Sequence, residues 1–348
     1  MPSKLSVRIS AAALAAASVV VAPTASAAPR SADAHPSPAA AEVKLPAEVA
    51  GVLGASSRAL VDTVAADALG RSQMGRGVAP SVALSKLAEQ GRKVVVDVRW
   101  AAPGWARGVA YVEAPATDGA HPEGWLYIAR NVGGRWVSGV EGDGEFAEYI
   151  DSSPLVGTAE RRTMTAYAQH QSAITTANTG GLLLPWMPNY YMTVTGGPHA
   201  SDGVNGYWSS LDLAGGNASG RVRSSRDGTA TSMCGAGGGW TRVIHPNGFS
   251  TDYYHMYNAT YYNATQVGTS ALLGTIGRDV CAGGSATGDH VHWSLRTYDA
   301  NYNGTYTWLH GRTIGGWTWW NGSSQYTGCA TRLGVTACPG TAIYNRTS

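Results

Sequence analysis

Two of the charged residue types disappear part-way along the chain. Lysine is absent beyond Lys93 and glutamate beyond Glu160, and charged residues make up only 14% of the 348 residues. Without glutamate, the downstream half cannot contain a His-Glu-x-x-His helix in which glutamate is the base. No Gly-x-Ser-x-Gly sequence occurs, which argues against a serine nucleophile on a strained turn. The net charge of +2 neither favours nor excludes a polyanionic partner, and we expect no nucleic-acid partner.

Cysteine is scarce, and all of it lies in the last third of the chain, as Cys234, Cys281, Cys329 and Cys338. No Cys-x-x-Cys pair is present, which argues against the rival interpretation of a tetra-thiolate zinc site. In an oxidising compartment an even count suggests two disulfides, for which three connectivities exist. The closeness of Cys329 and Cys338 in sequence favours a bond between them, and Cys234 is then left for Cys281.

The N-terminus has the pattern of a secretory signal peptide. A positive segment with Lys4 and Arg8 precedes an apolar run from 11 to 21, and Ala25-Ser26-Ala27 offers an Ala-x-Ala cleavage site. The apolar run is too short to be a spanning helix, and we expect no later stretch to be long enough. The sequence therefore predicts a signal peptide over residues 1–27 and a secreted protein without a membrane anchor.

The region from 28 to 181 predicts a small α+β domain. Residues 28–46 are rich in Ala, Pro and Ser and predict a disordered lead-in. A helical pattern covers 47–87, three strands are predicted within 94–129, and a helix within 158–171. His35, His121 and His170 are scattered, and we expect them to be surface histidines. Residues 172–181 form a small, polar linker, and processing is expected within 172–184.

From residue 182 onwards the chain is rich in Gly, Ser, Thr, Tyr and Trp. Short apolar segments alternate with turn signals every eight to twelve residues, which predicts an all-β domain. A long hairpin is expected over 240–257, around the turn Pro246-Asn247-Gly248. We therefore predict a mainly β domain of antiparallel sheets with long loops over residues 182–348.

Two histidines at i and i+2 lie in the segment 285–294. In an extended strand such residues project from the same face, so His290 and His292 would point into one site. Such a pair can supply two metal ligands, or one ligand and one proton-transfer group. His199 and Asp212 are candidates to join a downstream histidine, since zinc prefers imidazole and carboxylate ligands. Histidine is also the natural proton acceptor near neutral pH here.

These residues belong to four motifs that occur in a fixed order: His199, Ser209-Ser210-Leu211-Asp212, Tyr253-Tyr254-His255-Met256 and Ser285-x-Thr287-Gly288-x-His290-x-His292. With these motifs, the chain from about Leu182 resembles the beta-lytic, staphylolysin-type zinc metalloendopeptidases, a branch of the lysostaphin/LytM-type peptidoglycan endopeptidases. The resemblance implies that His199, Asp212 and His292 bind one zinc ion and that His255 and His290 are catalytic.

The resemblance implies a secreted bacteriolytic enzyme, made as a zymogen in which residues 28–181 are the propeptide. It would hydrolyse peptide bonds of peptidoglycan, especially at glycine in cross-bridges, and would extend to glycine-rich proteins such as elastin. We expect a monomer. Two alternatives remain open at this point: a non-catalytic wall-binding module on the same fold, and a zinc-dependent amidase or phosphoesterase.

Overall fold

The computed structural model describes residues 41–117, 119–170, 177–201, 206–298 and 304–347. The predicted signal peptide, residues 28–40 of the predicted lead-in (His35 among them) and residues 172–176 of the predicted linker lie outside the described residues. The described residues belong to one compact unit.

The upstream domain is an α+β unit, as the sequence predicts. Its five strands form one sheet in sequential order, in which β1 runs parallel to β2 and the other neighbours pair antiparallel. The strands are β1 Ala41–Lys44, β2 Val94–Ala102, β3 Trp105–Val112, β4 Glu123–Val132 and β5 Arg135–Val140. The helices are α1 Ala47–Leu53, α2 Ser57–Arg71, α3 Pro80–Glu89, α4 Gly144–Ser152 and α5 Thr158–Gln169, with a short 3-10 helix at Gly54–Ser56.

Two expectations for this region need correction. The end of the predicted disordered lead-in is ordered, because residues 41–44 pair with β2 as strand β1. By length and composition alone, Ala47–Arg71 is apolar enough to cross a membrane, contrary to the expectation that no stretch beyond the signal peptide would be. One such helix is weak evidence, and Leu60, Val64 and Leu69 of α2 are fully buried in the core beside the sheet. We therefore interpret it as a core helix.

The downstream domain is built from antiparallel strands and long loops, which confirms the predicted fold class. Its main sheet has the order β12-β9-β10-β11-β14-β7-β6-β20, and β15 also pairs with β14. The strands are β6 Tyr191–Ala200, β7 Trp208–Ala214, β8 Arg221–Arg223, β9 Gly228–Ser232, β10 Thr241–Ile244, β11 Phe249–Tyr254, β12 Thr265–Val267, β13 Leu272–Thr275, β14 Val291–Tyr298, β15 Gly304–Tyr306, β16 Thr313–Ile314, β17 Trp317–Trp320, β18 Cys329–Arg332, β19 Val335–Ala337 and β20 Ala342–Tyr344.

The two domains share a buried apolar cluster. Tyr111 and Phe146 of the upstream domain belong to the same cluster as Trp240, Tyr254 and Tyr298 of the downstream domain. Burial of aromatic side chains of this size dominates the energetics of an interface. The upstream domain is therefore packed against the downstream sheet and not merely tethered to it.

The predicted disulfides are present. Cys234 is bonded to Cys281 and Cys329 to Cys338, which leaves no free cysteine. The first bond ties the end of β9 to the loop that precedes the His-x-His segment. The second closes a small loop at the C-terminus.

Candidate metal centre and catalytic site

Three adjacent strands of the main sheet carry the predicted ligands. His292 on β14 is the direct register partner of Asp212 on β7, and His199 on β6 pairs with Ser210 of β7. The register of β6 shifts at Gly196 and again at His199. Such bulges re-aim side chains, which explains how His199 joins a site on the neighbouring strands.

The ligand atoms of these three residues form a small triangle. His199 Nε2 lies 3.2 Å from His292 Nδ1, which lies 3.1 Å from Asp212 Oδ1. The remaining edge, from His199 Nε2 to Asp212 Oδ1, is 3.5 Å. In a tetrahedral zinc site with bonds of about 2.0–2.1 Å, ligand atoms lie roughly 3.3–3.4 Å apart. The triangle therefore has the dimensions of one face of such a site.

Hydrogen bonds hold both imidazoles in the orientation that a metal requires. His199 donates from Nδ1 to the carbonyl oxygen of Gly197 at 2.8 Å, which leaves Nε2 with its lone pair towards the triangle. The Ser294 hydroxyl lies 3.0 Å from His292 Nε2, and Ser210 and Ser201 lie 2.9 and 3.0 Å from Ser294. Partners of this kind fix the tautomer and orientation of metal-binding histidines.

Burial and neighbouring charges favour the protonation states in which His199 and Asp212 can bind a metal ion. Burial lowers the pKa of His199 to about 4, so its imidazole is neutral near pH 7. Burial alone would raise the pKa of Asp212, but the His199 charge and the hydrogen bond with His292 outweigh it and lower that pKa. The site therefore offers a neutral His199 imidazole and an Asp212 carboxylate, which are forms that bind metals.

His255 and His290 lie beside the triangle. Their ring centroids are 4.8 Å apart, and His290 Nε2 lies 3.7 Å from Asp212 Oδ1. His290 and His292 thus face the same carboxylate, as the i and i+2 spacing predicts. His255 follows β11 directly after Tyr254, the register partner of His292.

The backbone and tautomer of His255 are both unusual. Its φ is +68°, a left-handed conformation that costs energy for a residue other than glycine and that clusters at functional sites. Its Nδ1 donates to the carbonyl oxygen of Asp279 at 2.8 Å, and its buried Nε2 has no hydrogen-bond partner among the described residues. Burial, with His290 and His292 nearby, lowers its pKa to about 3. A neutral imidazole with an available Nε2 can accept a proton.

One residue that the sequence analysis placed on the surface lies in the site. His121 of the upstream domain is 7% exposed, and its ring stacks on His292 with 3.5 Å between centroids. His121, His199 and His292 form a group whose ligand atoms all lie within 4.8 Å of one another. The prediction failed because no spacing in the sequence links His121 to a site that is assembled from distant strands.

His170 is exposed, as the sequence analysis predicts, and His310 is exposed too. His245 is buried as a structural residue, with Nδ1 bonded to the carbonyl oxygen of Asp227 and Nε2 2.9 Å from the Thr251 hydroxyl.

Several known proteins are similar to this chain, although no protein-family model matches it. Beta-lytic metalloendopeptidase of Lysobacter enzymogenes is 32% identical over 161 residues, which are 42% of this chain and 85% of that protein. Protease LasA of Pseudomonas aeruginosa is 29% identical over 263 residues, covering 69% of this chain and 60% of LasA. The solved structure of pseudoalterin, described as an M23 metalloprotease from the deep sea, is 31% identical, with a TM-score of 0.41; the match covers 48% of this chain and 99% of that one.

The LasA match covers more residues than 182–348 contain, and so it reaches into the upstream region. The 32% identity and the 85% coverage of the Lysobacter protein show which family the chain belongs to. The chain belongs to the beta-lytic metalloendopeptidases, and it is a metalloendopeptidase.

Proposed function

We propose that the protein is a secreted zinc endopeptidase that cleaves peptidoglycan peptides at glycine and is made as a zymogen. The observation that carries this proposal is the triangle of His199 Nε2, Asp212 Oδ1 and His292 Nδ1, with edges of 3.1–3.5 Å. Two imidazoles and one carboxylate suit zinc, and three protein ligands leave one position open, as in catalytic zinc sites. One zinc ion per chain is proposed.

The proposed roles of the chain's own residues follow from their hydrogen bonds. A bound zinc ion would supply Lewis acidity for the scissile carbonyl and lower the pKa of a water molecule. His255 is fixed by the Asp279 carbonyl, so its Nε2 can accept a proton from that water and, once protonated, can donate a hydrogen bond to a developing oxyanion. His290 donates from Nδ1 to the carbonyl oxygen of Gly288 at 2.7 Å, which leaves its Nε2 for the same tasks. The resemblance supports the catalytic assignment of both.

The proposed substrate is a glycine-containing peptide of the bacterial cell wall. Glycine has no side chain to grip, so recognition would rest on backbone hydrogen bonds and a narrow cleft. The Lysobacter relative is named for its beta-lytic activity, which supports a cell-wall target. Glycine-rich proteins such as elastin are a second proposed substrate of the same site. We propose that the enzyme acts as a monomer.

Secretion and zymogen processing are proposed from the leader and from the domain junction. The leader at 1–27 and the two disulfides suit an extracellular protein. Leu182, Leu184 and Trp186 are buried in the core of the downstream domain, and Thr179 donates to the carbonyl oxygen of Thr313. Cleavage that keeps these contacts must occur upstream of residue 178, and α5 ends at Gln169. We therefore propose that processing cuts between residues 170 and 177.

The test uses the processed protein, obtained from the secreted full-length chain, on purified glycine-bridged peptidoglycan. We expect new glycine amino termini to be released, the release to stop with a zinc chelator, and zinc to restore it. His292→Ala should abolish release, whereas His310→Ala, at an exposed histidine, should not. Binding to the wall without release by folded, zinc-loaded protein would contradict the proposal.

A further inference from the structure

One face of the downstream sheet carries two arginines as well as the metal centre. Residues that are directly opposed on antiparallel strands share a face, as do residues two apart along one strand. On β14, Ser294 and Arg296 therefore lie on the face of His292. The register places Asp252 of β11 beside Ser294 and Arg242 of β10 beside Asp252, on that same face. The metal centre and the two arginines thus line one continuous surface.

Both domains hold Arg242, each along a different edge of its guanidinium group. Nε and Nη2 donate to the carboxylate of Asp252 in the downstream domain, at 2.7 Å each. Nη1 donates to the carbonyl oxygen of Gly124 at 3.0 Å and to the carboxylate of Glu141, both of which belong to the upstream domain. When the upstream domain leaves, Nη1 therefore loses both of these acceptors, while the other edge keeps its carboxylate.

The charges of this cluster balance only while Glu141 is present. Arg242 and Arg296 lie near Asp252 and Glu141, and all four residues are at most 2% exposed. The Arg296 guanidinium lies 4.7 Å from the centroid of the Tyr306 ring, and the Tyr306 hydroxyl donates to Asp252 at 3.3 Å. Burial and the Arg242 charge lower the pKa of Arg296, but negative neighbours, led by Glu141, outweigh them and raise it. Loss of Glu141 leaves two guanidinium groups with one carboxylate.

The group that Glu141 presents indicates the chemistry of a replacement ligand. Its Oε1 accepts from the Tyr167 hydroxyl at 3.1 Å and its Oε2 from the Leu126 amide at 3.3 Å, both within the upstream domain. The planar edge of a guanidinium group matches the geometry of a carboxylate. Apolar residues in place of a buried ion pair are often at least as stabilising, and an apolar cluster already joins the domains. Adhesion between the domains therefore does not account for the charge on Arg242.

The position of Arg242 suits a substrate group a few residues away from the reacting bond. Neighbouring strands lie about 4.8 Å apart, so Arg242 on β10 is roughly 10 Å across the sheet from Ser294 on β14. His292, a predicted metal ligand, lies two residues from Ser294 along β14. An extended peptide spans about 3.3–3.6 Å per residue, so roughly three residues bridge this distance.

We propose that Arg242, with Arg296 beside it, forms a subsite of the processed enzyme that binds a carboxylate of an acidic peptide substrate. In the unprocessed chain, the Glu141 carboxylate fills this subsite. The inference rests on the proposed function, since removal of the upstream domain uncovers the arginines. The subsite adds selection by charge to the backbone contacts that a glycine segment can make.

The test uses two pairs of oligoglycine peptides and the processed protein, obtained from the secreted full-length chain. One member of each pair carries glutamate and the other glutamine, about three residues before the central glycine bond in one pair and about three residues after it in the other. In one of the pairs we expect KM to be about tenfold lower for the glutamate peptide, because it gains a charge-assisted hydrogen bond, with kcat unchanged.

The outcomes separate this inference from the proposed function. Equal KM values within both pairs would overturn the subsite, while cleavage of the peptides would leave the proposed function intact. If the processed protein cleaves none of the peptides, the proposed function fails. The dissociation constants of the intact pairs, measured by calorimetry, then decide the inference: a tenfold preference for glutamate in one pair supports it, and equal values overturn it. A secreted chain that keeps its upstream domain would overturn both, because Glu141 would never leave.

Arginine variants distinguish the subsite from a general attraction of acidic peptides. Arg242→Gln should abolish the preference for glutamate. Arg221→Gln, which removes the same charge at an exposed position of β8, should keep it. Loss of the preference in both variants, or in neither, would overturn the assignment to Arg242. The comparison of glutamate with glutamine peptides on the wild type needs no variant to fold.

Discussion

His292 is held from both sides of its imidazole. Nδ1 faces Asp212 at 3.1 Å, and Nε2 lies 3.0 Å from the Ser294 hydroxyl. Ser294 is fully buried and is itself bonded to Ser201 and Ser210. The serines thus fix which nitrogen of His292 faces the metal centre, although neither the motif nor the resemblance assigns them a role.

Ser294→Ala should weaken metal binding without unfolding the protein. Loss of a partner of this kind typically costs 10–100-fold in metal affinity or activity, because the imidazole is no longer oriented. We expect a decrease in zinc affinity of about that size, measured by competition with a chelator. Ser250→Ala, which removes a buried hydroxyl bonded to Tyr167 instead, is the matched control. Equal zinc affinities of the two variants would rule out the orienting role.

His245 should make stability depend on pH. Burial lowers its pKa in the folded protein to about 4, below the usual 6.5, so the unfolded chain binds the proton first as the pH falls. The contribution of His245 to the free energy of unfolding is therefore fully present above pH 6.5. It is lost as the pH falls towards 4, by about 3 kcal/mol in total. Urea unfolding at pH 7 and pH 4.5 should show a smaller difference for His245→Gln than for wild type. His310→Gln should match wild type, and a variant His245→Gln with unchanged pH dependence would refute this assignment.

The sequence predicted the relative placement of two histidines that are neighbours along one strand, but not a contact that forms where the two domains meet. The i and i+2 spacing places His290 and His292 on one side because strand geometry is local. The same sequence gives no sign that His121 lies 3.5 Å from the His292 ring, because that contact depends on how two domains pack. The positive φ of His255 is likewise set by its surroundings and not by its residue type.

At the level of elements, one loop positions both predicted catalytic histidines. Gly277 and His290 exchange backbone hydrogen bonds of 3.1 Å, and the Asp279 carbonyl accepts from His255 Nδ1. Two residues later, Cys281 anchors the loop to Cys234. The disulfide therefore anchors the loop that hydrogen-bonds to His255 and His290.

The two disulfides should differ in their effects. Closing loops of 47 and 9 residues predicts about 4 and about 2.6 kcal/mol of stabilisation on the chain-entropy account. Replacing Cys234 and Cys281 by serine should lower both the free energy of unfolding and kcat, since the Asp279 loop loses its anchor. Replacing Cys329 and Cys338 should lower the free energy of unfolding by less and leave kcat within twofold. A larger loss of kcat in the second variant would contradict this.

The sequence predicted strands with a strong local pattern better than it predicted long-range strand pairing. Alternating β-branched and aromatic residues predict the hairpin of β10 and β11, and the structure places it at Thr241–Ile244 and Phe249–Tyr254. The parallel strand β1 was missed, since its pairing with β2 joins residues about fifty positions apart and its composition resembles a lead-in. Local patterns decide strands, whereas long-range pairing decides which marginal segments become ordered.

Across the whole molecule, the domains are joined by a buried ion pair as well as by apolar surface. Glu141 of the upstream domain and Arg242 of β10 are both fully buried and paired. Arg242 also forms two hydrogen bonds of 2.7 Å with Asp252 in its own domain. The downstream domain therefore retains one partner for Arg242 when the upstream domain leaves.

Glu141→Gln should destabilise the unprocessed chain alone. Breaking one side of a buried ion pair costs roughly 3–5 kcal/mol, because the remaining charge loses its partner. We expect the unprocessed variant to lose about 3 kcal/mol of unfolding free energy in denaturant titrations, since Asp252 still compensates Arg242. Glu145→Gln, at an exposed position four residues away, should change it little. The processed proteins from both variants should be identical to wild type in stability, and any difference between them would contradict the proposed cut.

The central claim is that one metal ion sits within the triangle of His199, Asp212 and His292. The most direct measurement is an anomalous-difference map recorded at the zinc edge from crystals of the processed protein. The account predicts one strong peak about 2 Å from His199 Nε2, Asp212 Oδ1 and His292 Nδ1. A zinc-loaded crystal with no peak there, or with its peak at His245 or His310, would contradict it.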